Sequence, residues 1–375
     1  MIYANYAATS PALSEATLAE VRGYLGGVHL NAGRNAAGIE GAAIALRARR
    51  AIAALVGVKN PLSVVFTSGA TAALNMAING LVRPGDHVLS TSIEHNAVAR
   101  PLHALSESGV ISLRHIRCEP NGTLDTEKLR RAIRPETRLL VMSHASNVLG
   151  TILPVEECCE IAREYGIFTV LDAAQTAGVL PLAMGGFDAL AFAGHKGLGA
   201  LAGTGGLVLS ERTAAAMRPF VYGGTGSRSD SLEMPGFLPD KFEAGTQNTL
   251  GILSLAASVE EIVRAGVGGI REHERALLER FLRGLESVRK VTPYGTLDWR
   301  RSVAVVSLAV RGYDAADAAA SLFERAGIVT RSGLHCSPLA HQTAGSFPGG
   351  TVRFSFGRAT TGAEIDAMLG ALDAL

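Results

Sequence analysis

Between residues 60 and 210, short apolar runs alternate with amphipathic stretches. "SVVFTSG" reads as a strand and leads into the helix-like "ATAALNMAING". "DHVLSTSIEHN", "SLRHIRC" and "TRLLVMSHASN" supply three more strands, and "VEECCEIAREYG" has helical spacing with a Gly stop. "FTVLDAAQ", "ALAFAGHK" and "GGLVLS" follow as strands. Apolar strands alternating with helices predict a mostly parallel sheet covered by helices on both faces. Beyond it, 252–289 reads as one long helical stretch rich in Glu and Arg. "SVAVVSLAV", a helix over 314–326, "GIVTRSG", "TVRFSFG" and a last helix then form an α+β unit. The pattern predicts an α/β protein with a large unit over 13–253. A smaller C-terminal α+β unit covers 254–375 and takes in residues 1–12.

Composition narrows the functional classes. Of 375 residues, 47% are hydrophobic and 18% charged, enough to bury a large core. With 35 basic against 34 acidic side chains, nothing electrostatic favours nucleic acid or an anionic membrane as partner. No uninterrupted apolar run is long enough to span a bilayer, and no basic-then-apolar leader opens the chain, which argues against membrane insertion and secretion. Cys118, Cys158, Cys159 and Cys336 show neither a CxxC pair nor zinc spacing. No metal site is expected, and a reducing, cytoplasmic setting is.

Ligands of parallel sheets sit beyond the carboxyl ends of the strands. The polar residues collected there are Thr67 to Thr71, Glu94-His95-Asn96, His144 to Asn147, Asp172 with Gln175, and His195-Lys196. "TSGAT" opening a helix offers backbone N–H groups and the Thr71 hydroxyl to a phosphate, although many Gly-rich turns start helices and bind nothing. Asp172 suits either a helix cap or the counter-ion of a buried cation. Lys196, closing a buried strand, is a desolvated amine of the kind Schiff-base chemistry requires. His95 could stack on a ring or be an ordinary buried histidine. A phosphate cradle, a carboxylate for a protonated ring nitrogen and a lysine for an aldehyde are together the requirements of pyridoxal 5′-phosphate (PLP).

The order of these segments resembles the cysteine desulfurase family, within the class-V aminotransferase group of fold-type-I PLP-dependent enzymes. "IYANYAATSP", "FTSGATAALN", "EHNAVARPL", "SHASNVLG", "LDAAQTAG", "AFAGHKGLG", "FEAGTQNTLGI" and "RSGLHCSPLAH" carry the likeness almost end to end. The resemblance implies that Lys196 holds PLP as a Schiff base and that Asp172 keeps the ring nitrogen protonated. Gln175 and Asn147 would bond around the ring oxygen, His95 would stack on the ring, and Ala70 and Thr71 would bind the phosphate with His195 nearby. Gly245 and Thr246 would reach the phosphate of a neighbouring subunit, implying a homodimer. Three departures stand out: Ala193 where the family carries Ser or Thr, Asn5-Tyr6 at the opening, and no His after the Arg of "HLNAGRNAAGIE".

The resemblance also assigns the C-terminal unit a role. Cys336 would take sulfur from L-cysteine as a persulfide for an acceptor protein, leaving L-alanine. Its thiol would be activated by His335, Arg331 or the substrate, with His95 or Lys196 moving the α-proton. Arg353 would bind the substrate carboxylate, with Arg331 and Asn147 beside it, because a guanidinium engages both carboxylate oxygens. The short loop resembles the branch that includes selenocysteine lyases. Selenocysteine lyase, cysteine-sulfinate desulfinase and class-V aminotransferase are the alternatives on the same fold.

Overall fold

The computed structural model describes residues 1–27 and 39–375, so most of the "HLNAGRNAAGIE" segment lies outside the described residues. Thirteen strands among them are β1 (Ile2–Tyr3), β2 (Val64–Thr67), β3 (Asp86–Thr91), β4 (Ile111–Ile116), β5 (Thr137–Ser143), β6 (Phe168–Asp172), β7 (Ala189–Ala193), β8 (Gly205–Leu209), β9 (Val291–Tyr294), β10 (Val305–Val310), β11 (Ile328–Val329), β12 (Arg331–Gly333) and β13 (Thr351–Ser355). The helices are α1 (Glu15–Leu25), α2 (Ile39–Leu55), α3 (Ala70–Leu81), α4 (Asn96–Glu107), α5 (Thr126–Ala132), α6 (Val155–Glu164), α7 (Glu211–Ala216), α8 (Thr249–Ala265), α9 (Val267–Leu285), α10 (Ala315–Ala326), α11 (Pro338–Ala344) and α12 (Gly362–Asp373).

Seven strands form the central sheet in the order β2-β8-β7-β6-β5-β3-β4. All run in one direction except β8, which is antiparallel to both neighbours. The near-continuous apolar runs are explained by burial on both faces. Along β5, Leu139 and Val141 enter one core while Leu140 and Met142 enter the other. Strand β7 divides likewise, Ala189 and Ala191 to one side, Leu190 and Phe192 to the other. One face carries α3 and α4, the other α2, α6 and α8.

A four-stranded antiparallel sheet, β12-β13-β10-β9, packs with α9, α10 and α12 around a third core. β1 pairs in parallel with β11, which ties the N-terminus to this sheet's helix–strand corner. "GIVTRSG", read as one strand, is therefore split between two sheets at Thr330. The long helical stretch is also two helices, because Gly266 sits at φ 81° and breaks it. Ile252 to Ile262 of α8 pack in the first core, and Leu277 to Leu285 of α9 pack in the third.

Candidate active site

The carboxyl ends of β2, β3, β5, β6 and β7 converge on a cavity of about 200 Å³. Ser68, Gly69, Ala70, Thr71, His95, Asn147, Asp172, Gln175, His195 and Lys196 line it, so ten predicted strand-end residues meet at one place. Gly69 starts α3 with φ 152° and no side chain caps that helix, leaving its first-turn N–H groups open to an anion. The turn approaches β8 so closely that a Cβ on Gly205 would lie 2.6 Å from Gly69 Cα. Ala70, Ala174 and Ala193 pack together at the cavity wall. Ala193 thus supplies a methyl contact where the family has a hydroxyl.

Asp172 is buried, and Oδ1 accepts the backbone N–H of Ala174 at 2.9 Å. Its other oxygen has no hydrogen-bond donor among the described residues. Burial raises its pKa, and the charge of Lys196 works in the opposite direction. No helix directly follows it, so Asp172 caps a turn and not a helix, and its second oxygen is left open to the cavity. Lys196 lies in the same cavity. Burial pushes its amine down to about 8, against the attraction of Asp172, with Arg353 and Arg331 lowering it further. A partly deprotonated amine at neutral pH is a competent nucleophile toward an aldehyde.

His95 is the N-cap of α4, and its Nδ1 accepts the N–H of Ala97 at 3.0 Å. That bond places the proton of the neutral ring on Nε2. Burial first, then Lys196, Arg331, Arg353 and Arg100, push its pKa down to about 4. His95 is therefore a neutral ring whose Nδ1 is already engaged and whose Nε2 edge carries the proton. The turn before it is fixed by Glu94, which is fully buried and accepts from Thr91 Oγ1 (2.5 Å), Ser143 Oγ (2.7 Å) and Ser143 N (3.1 Å). Burial raises the Glu94 carboxyl to about 7.

Gln175 Nε2 donates to Ala7 O at 3.1 Å, joining the cavity wall to the N-terminal segment. His195 lines the cavity, and its carbonyl accepts from Ser10 N at 2.7 Å. Gly245 and Thr246 do not line this cavity. Thr246 instead borders a separate one of about 520 Å³ that opens beside Ser68 and Thr71.

Cys336 is exposed, whereas Cys118, Cys158 and Cys159 are buried. It sits in a turn where both His335 (φ 49°) and Cys336 (φ 60°) adopt left-handed backbone. Arg331 Nη2 lies 3.6 Å from Cys336 Sγ. His335 is turned inward: Nε2 pairs with Thr351 Oγ1 at 2.9 Å, and burial with the neighbouring Arg353 pushes its pKa down to about 2. Of the side chains considered as activators of the thiol, the structure places Arg331 beside it. Arg353 is 1% exposed, donates to Asn147 O (3.0 Å) and Asn5 Oδ1 (3.2 Å), and leaves Nε unpartnered. Asn5 at the departed opening position thus holds the arginine of its own, smaller unit.

Asn147 has a duty that the sequence did not disclose. Nδ2 donates to His335 O at 2.8 Å, and Oδ1 accepts from Ser337 Oγ at 2.7 Å. Glu94 and Asn96 stand among the strand-end polar residues of the sequence but had no role assigned there; Asn96 N donates to Cys336 O at 2.7 Å. Ser337 gave no signal, because its role depends on contact between distant segments.

Residues 2–368 match the family described as "Aminotransferase class-V". The chain belongs to that family, in its cysteine desulfurase branch. It is 34% identical over 329 residues to a probable cysteine desulfurase of Methanothermobacter thermautotrophicus, covering 86% of this chain and 81% of that protein. A cysteine desulfurase of Escherichia coli is 33% identical over 77% of this chain and 72% of its own. The apo structure of the cysteine desulfurase from Thermococcus onnurineus NA1 superposes with a TM-score of 0.93 at 30% identity, covering 100% of this chain and 94% of that one. The fold is that of fold-type-I PLP-dependent enzymes, and the family depends on PLP.

The residues present fit that cofactor. A helix N-terminus without a cap faces the cavity, a buried carboxylate has an oxygen without a donor, and the amine of a desolvated lysine has no hydrogen bond among the described residues. No helix among the described residues is long and apolar enough to cross a membrane.

Proposed function

We propose that this chain is a PLP-dependent cysteine desulfurase, converting L-cysteine to L-alanine and collecting the sulfur as a persulfide on Cys336. The observation that carries this is the 3.6 Å contact between Arg331 and the only exposed cysteine among the described residues. A family member acting by transamination needs no such thiol. PLP, when bound, supplies an electron sink for the bonds to the substrate α-carbon.

The chain's own residues do the rest. With PLP bound, Asp172 would hold the proton of its ring nitrogen, His95 would face its ring, and the α3 N-terminus with Thr71 would receive its phosphate. Arg353, a buried cation without a carboxylate partner among the described residues, takes the substrate carboxylate. Lys196, with its lowered pKa, takes the α-proton. Arg331 Nη2, 3.6 Å from Cys336 Sγ, sets a positive charge beside the reacting sulfur. Cys336 Sγ then attacks the substrate sulfur, forming an S–S bond as the C–S bond breaks, and alanine departs after protonation.

A homodimer is part of the reading. Phe220, Val221, Tyr222, Leu232 and Phe237 expose apolar side chains in the segment leading to Gly245 and Thr246, which suits a surface covered by a second copy. The sulfur acceptor would meet exposed Cys336. Four free cysteines suit a reducing compartment such as the cytoplasm. We place the division between the two units at Gly266, because α8 packs with the central sheet. The test is incubation with L-cysteine and PLP, measuring alanine and sulfide against Cys336→Ala. Alanine from the wild type and none from the variant is expected; a PLP-loaded wild type that yields no alanine overturns the assignment.

A further inference from the structure

A left-handed backbone at two successive residues with side chains is unfavourable and persists only where the surroundings fix it. At His335 and Cys336 one bond within the turn, Ser337 N to Leu334 O at 2.8 Å, is joined by contacts from outside it, including Asn96 N to Cys336 O at 2.7 Å. Asn147 Nδ2 holds the carbonyl before Cys336, at 2.8 Å, and Asn147 Oδ1 holds the hydroxyl after it, at 2.7 Å. Ser337 begins α11, yet its side chain caps nothing there, because the hydroxyl is committed to Asn147. The same residue's carbonyl holds Arg353 at 3.0 Å.

Asn147 is itself braced. Ser146 Oγ accepts from Val148 N (3.2 Å) and Leu149 N (3.1 Å), and Gly150 N donates to Ser146 O (3.0 Å). Gly150 sits at φ 69° so close to β10 that a Cβ would lie 2.4 Å from Val305 O. The turn carrying Asn147 therefore docks against the smaller sheet while the residue borders the cofactor cavity and its carboxamide reaches the cysteine turn.

We propose that Asn147 is the positioning residue for Cys336, its carboxamide clamping the cysteine turn on both sides so that the sulfur is held beside Arg331. This deepens the desulfurase reading and rests on it for the consequence in turnover, but the clamp itself can be tested without cofactor or substrate. Among the described residues Cys336 is the only exposed thiol, so alkylation of the apo-protein reports on it. Iodoacetate is anionic and iodoacetamide neutral; the ratio of their rates reports the positive charge around the sulfur, independently of how much thiolate is present.

The variants are Ser337→Ala and Asn147→Ala, neither of which changes charge. In each, the iodoacetate-to-iodoacetamide ratio should fall roughly two- to tenfold, the range that loss of one hydrogen bond controls. The double variant should fall no further than Asn147→Ala alone, because both act through one clamp. In the loaded enzyme Ser337→Ala should lower kcat for cysteine by a similar factor and leave KM unchanged, since the Asn147 carbonyl still holds Arg353. An unchanged alkylation ratio in both single variants, with native melting curves, overturns the proposal. A changed ratio in a protein that makes no alanine from cysteine supports the clamp and rejects the desulfurase reading.

Discussion

Arg331 and Arg353 face each other directly across β12 and β13, two guanidinium groups in register with no carboxylate paired to either among the described residues. Like charges opposed across strands are destabilising. Their retention makes sense under the proposed function, in which the substrate carboxylate meets Arg353 and the Cys336 sulfur reacts beside Arg331. Replacing Arg331 with Leu should leave stability unchanged or raise it by about 0.2–1 kcal/mol. The same change should lower kcat/KM for cysteine roughly ten- to a hundredfold, as expected when a charge-assisted hydrogen bond is lost. Thermal melts and initial rates on one preparation check both; lost stability with unaltered turnover would make Arg331 a structural residue.

Lys196 should capture its aldehyde at a pH far below that of an ordinary lysine. Its amine is pushed down to about 8 from 10.5, mainly by burial, so the reactive neutral form grows in through pH 8. The rate of PLP capture by apo-protein, trapped by borohydride and read by mass, should rise with a midpoint near there. Asp172 is an opposing influence that raises the Lys196 pKa. Asp172→Asn should therefore move the midpoint down. A wild-type midpoint near 10.5 would contradict the burial argument.

Acid stability should reflect the buried histidines. His95, His144 and His341 are each pushed down from 6.5 to about 4, with burial the first cause. Their folded pKa values lie below the unfolded value, so below 6.5 the unfolded chain binds more protons. The stability these histidines contribute is complete above pH 6.5 and declines as pH falls toward 4. His95→Asn, which can still cap α4 through its side chain, should flatten this decline in urea unfolding measured at pH 7 and pH 5. An equal slope in wild type and variant would mean that His95 is not held neutral.

Much of this site was legible before any coordinates. The residues at strand ends, Thr67 to Thr71, His95, Asp172 and Lys196, follow from one rule: parallel strands deliver their carboxyl ends to one edge. The antiparallel β8 was not legible, since "GGLVLS" has the same apolar texture as its parallel neighbours. Nor was the break at Gly266, because a single Gly in a helical pattern is tolerated as often as it terminates. His335 shows the limit more sharply. Beside Cys336 in sequence it looks like a base, but the left-handed turn sends its ring into the core toward Thr351. Asn147 and Ser337 meet across 190 residues of chain, a relationship that no local pattern contains.

The edge of the central sheet gives a last prediction. Among the described residues β2 has no strand on its outer side, and a buried ion pair caps it there. Arg49 donates to Val64 O, and Glu243 Oε1 accepts from Phe66 N at 2.7 Å. Arg49 Nη2 meets Glu243 Oε2 at 2.6 Å, with the side chains 6% and 7% exposed. Because Glu243 precedes Gly245 and Thr246, the pair also anchors the segment proposed to reach the partner subunit. Glu243→Gln keeps an acceptor for Phe66 but leaves the Arg49 charge buried alone, so it should cost about 3–5 kcal/mol. Arg49→Met combined with Glu243→Leu removes both charges and should cost less than the single change, despite the unfilled bonds on β2. Urea titrations measure both, and sedimentation of the single variant should show a weakened dimer. A loss below about 1 kcal/mol for Glu243→Gln would show that the charge finds solvent and that the pair does not hold the edge.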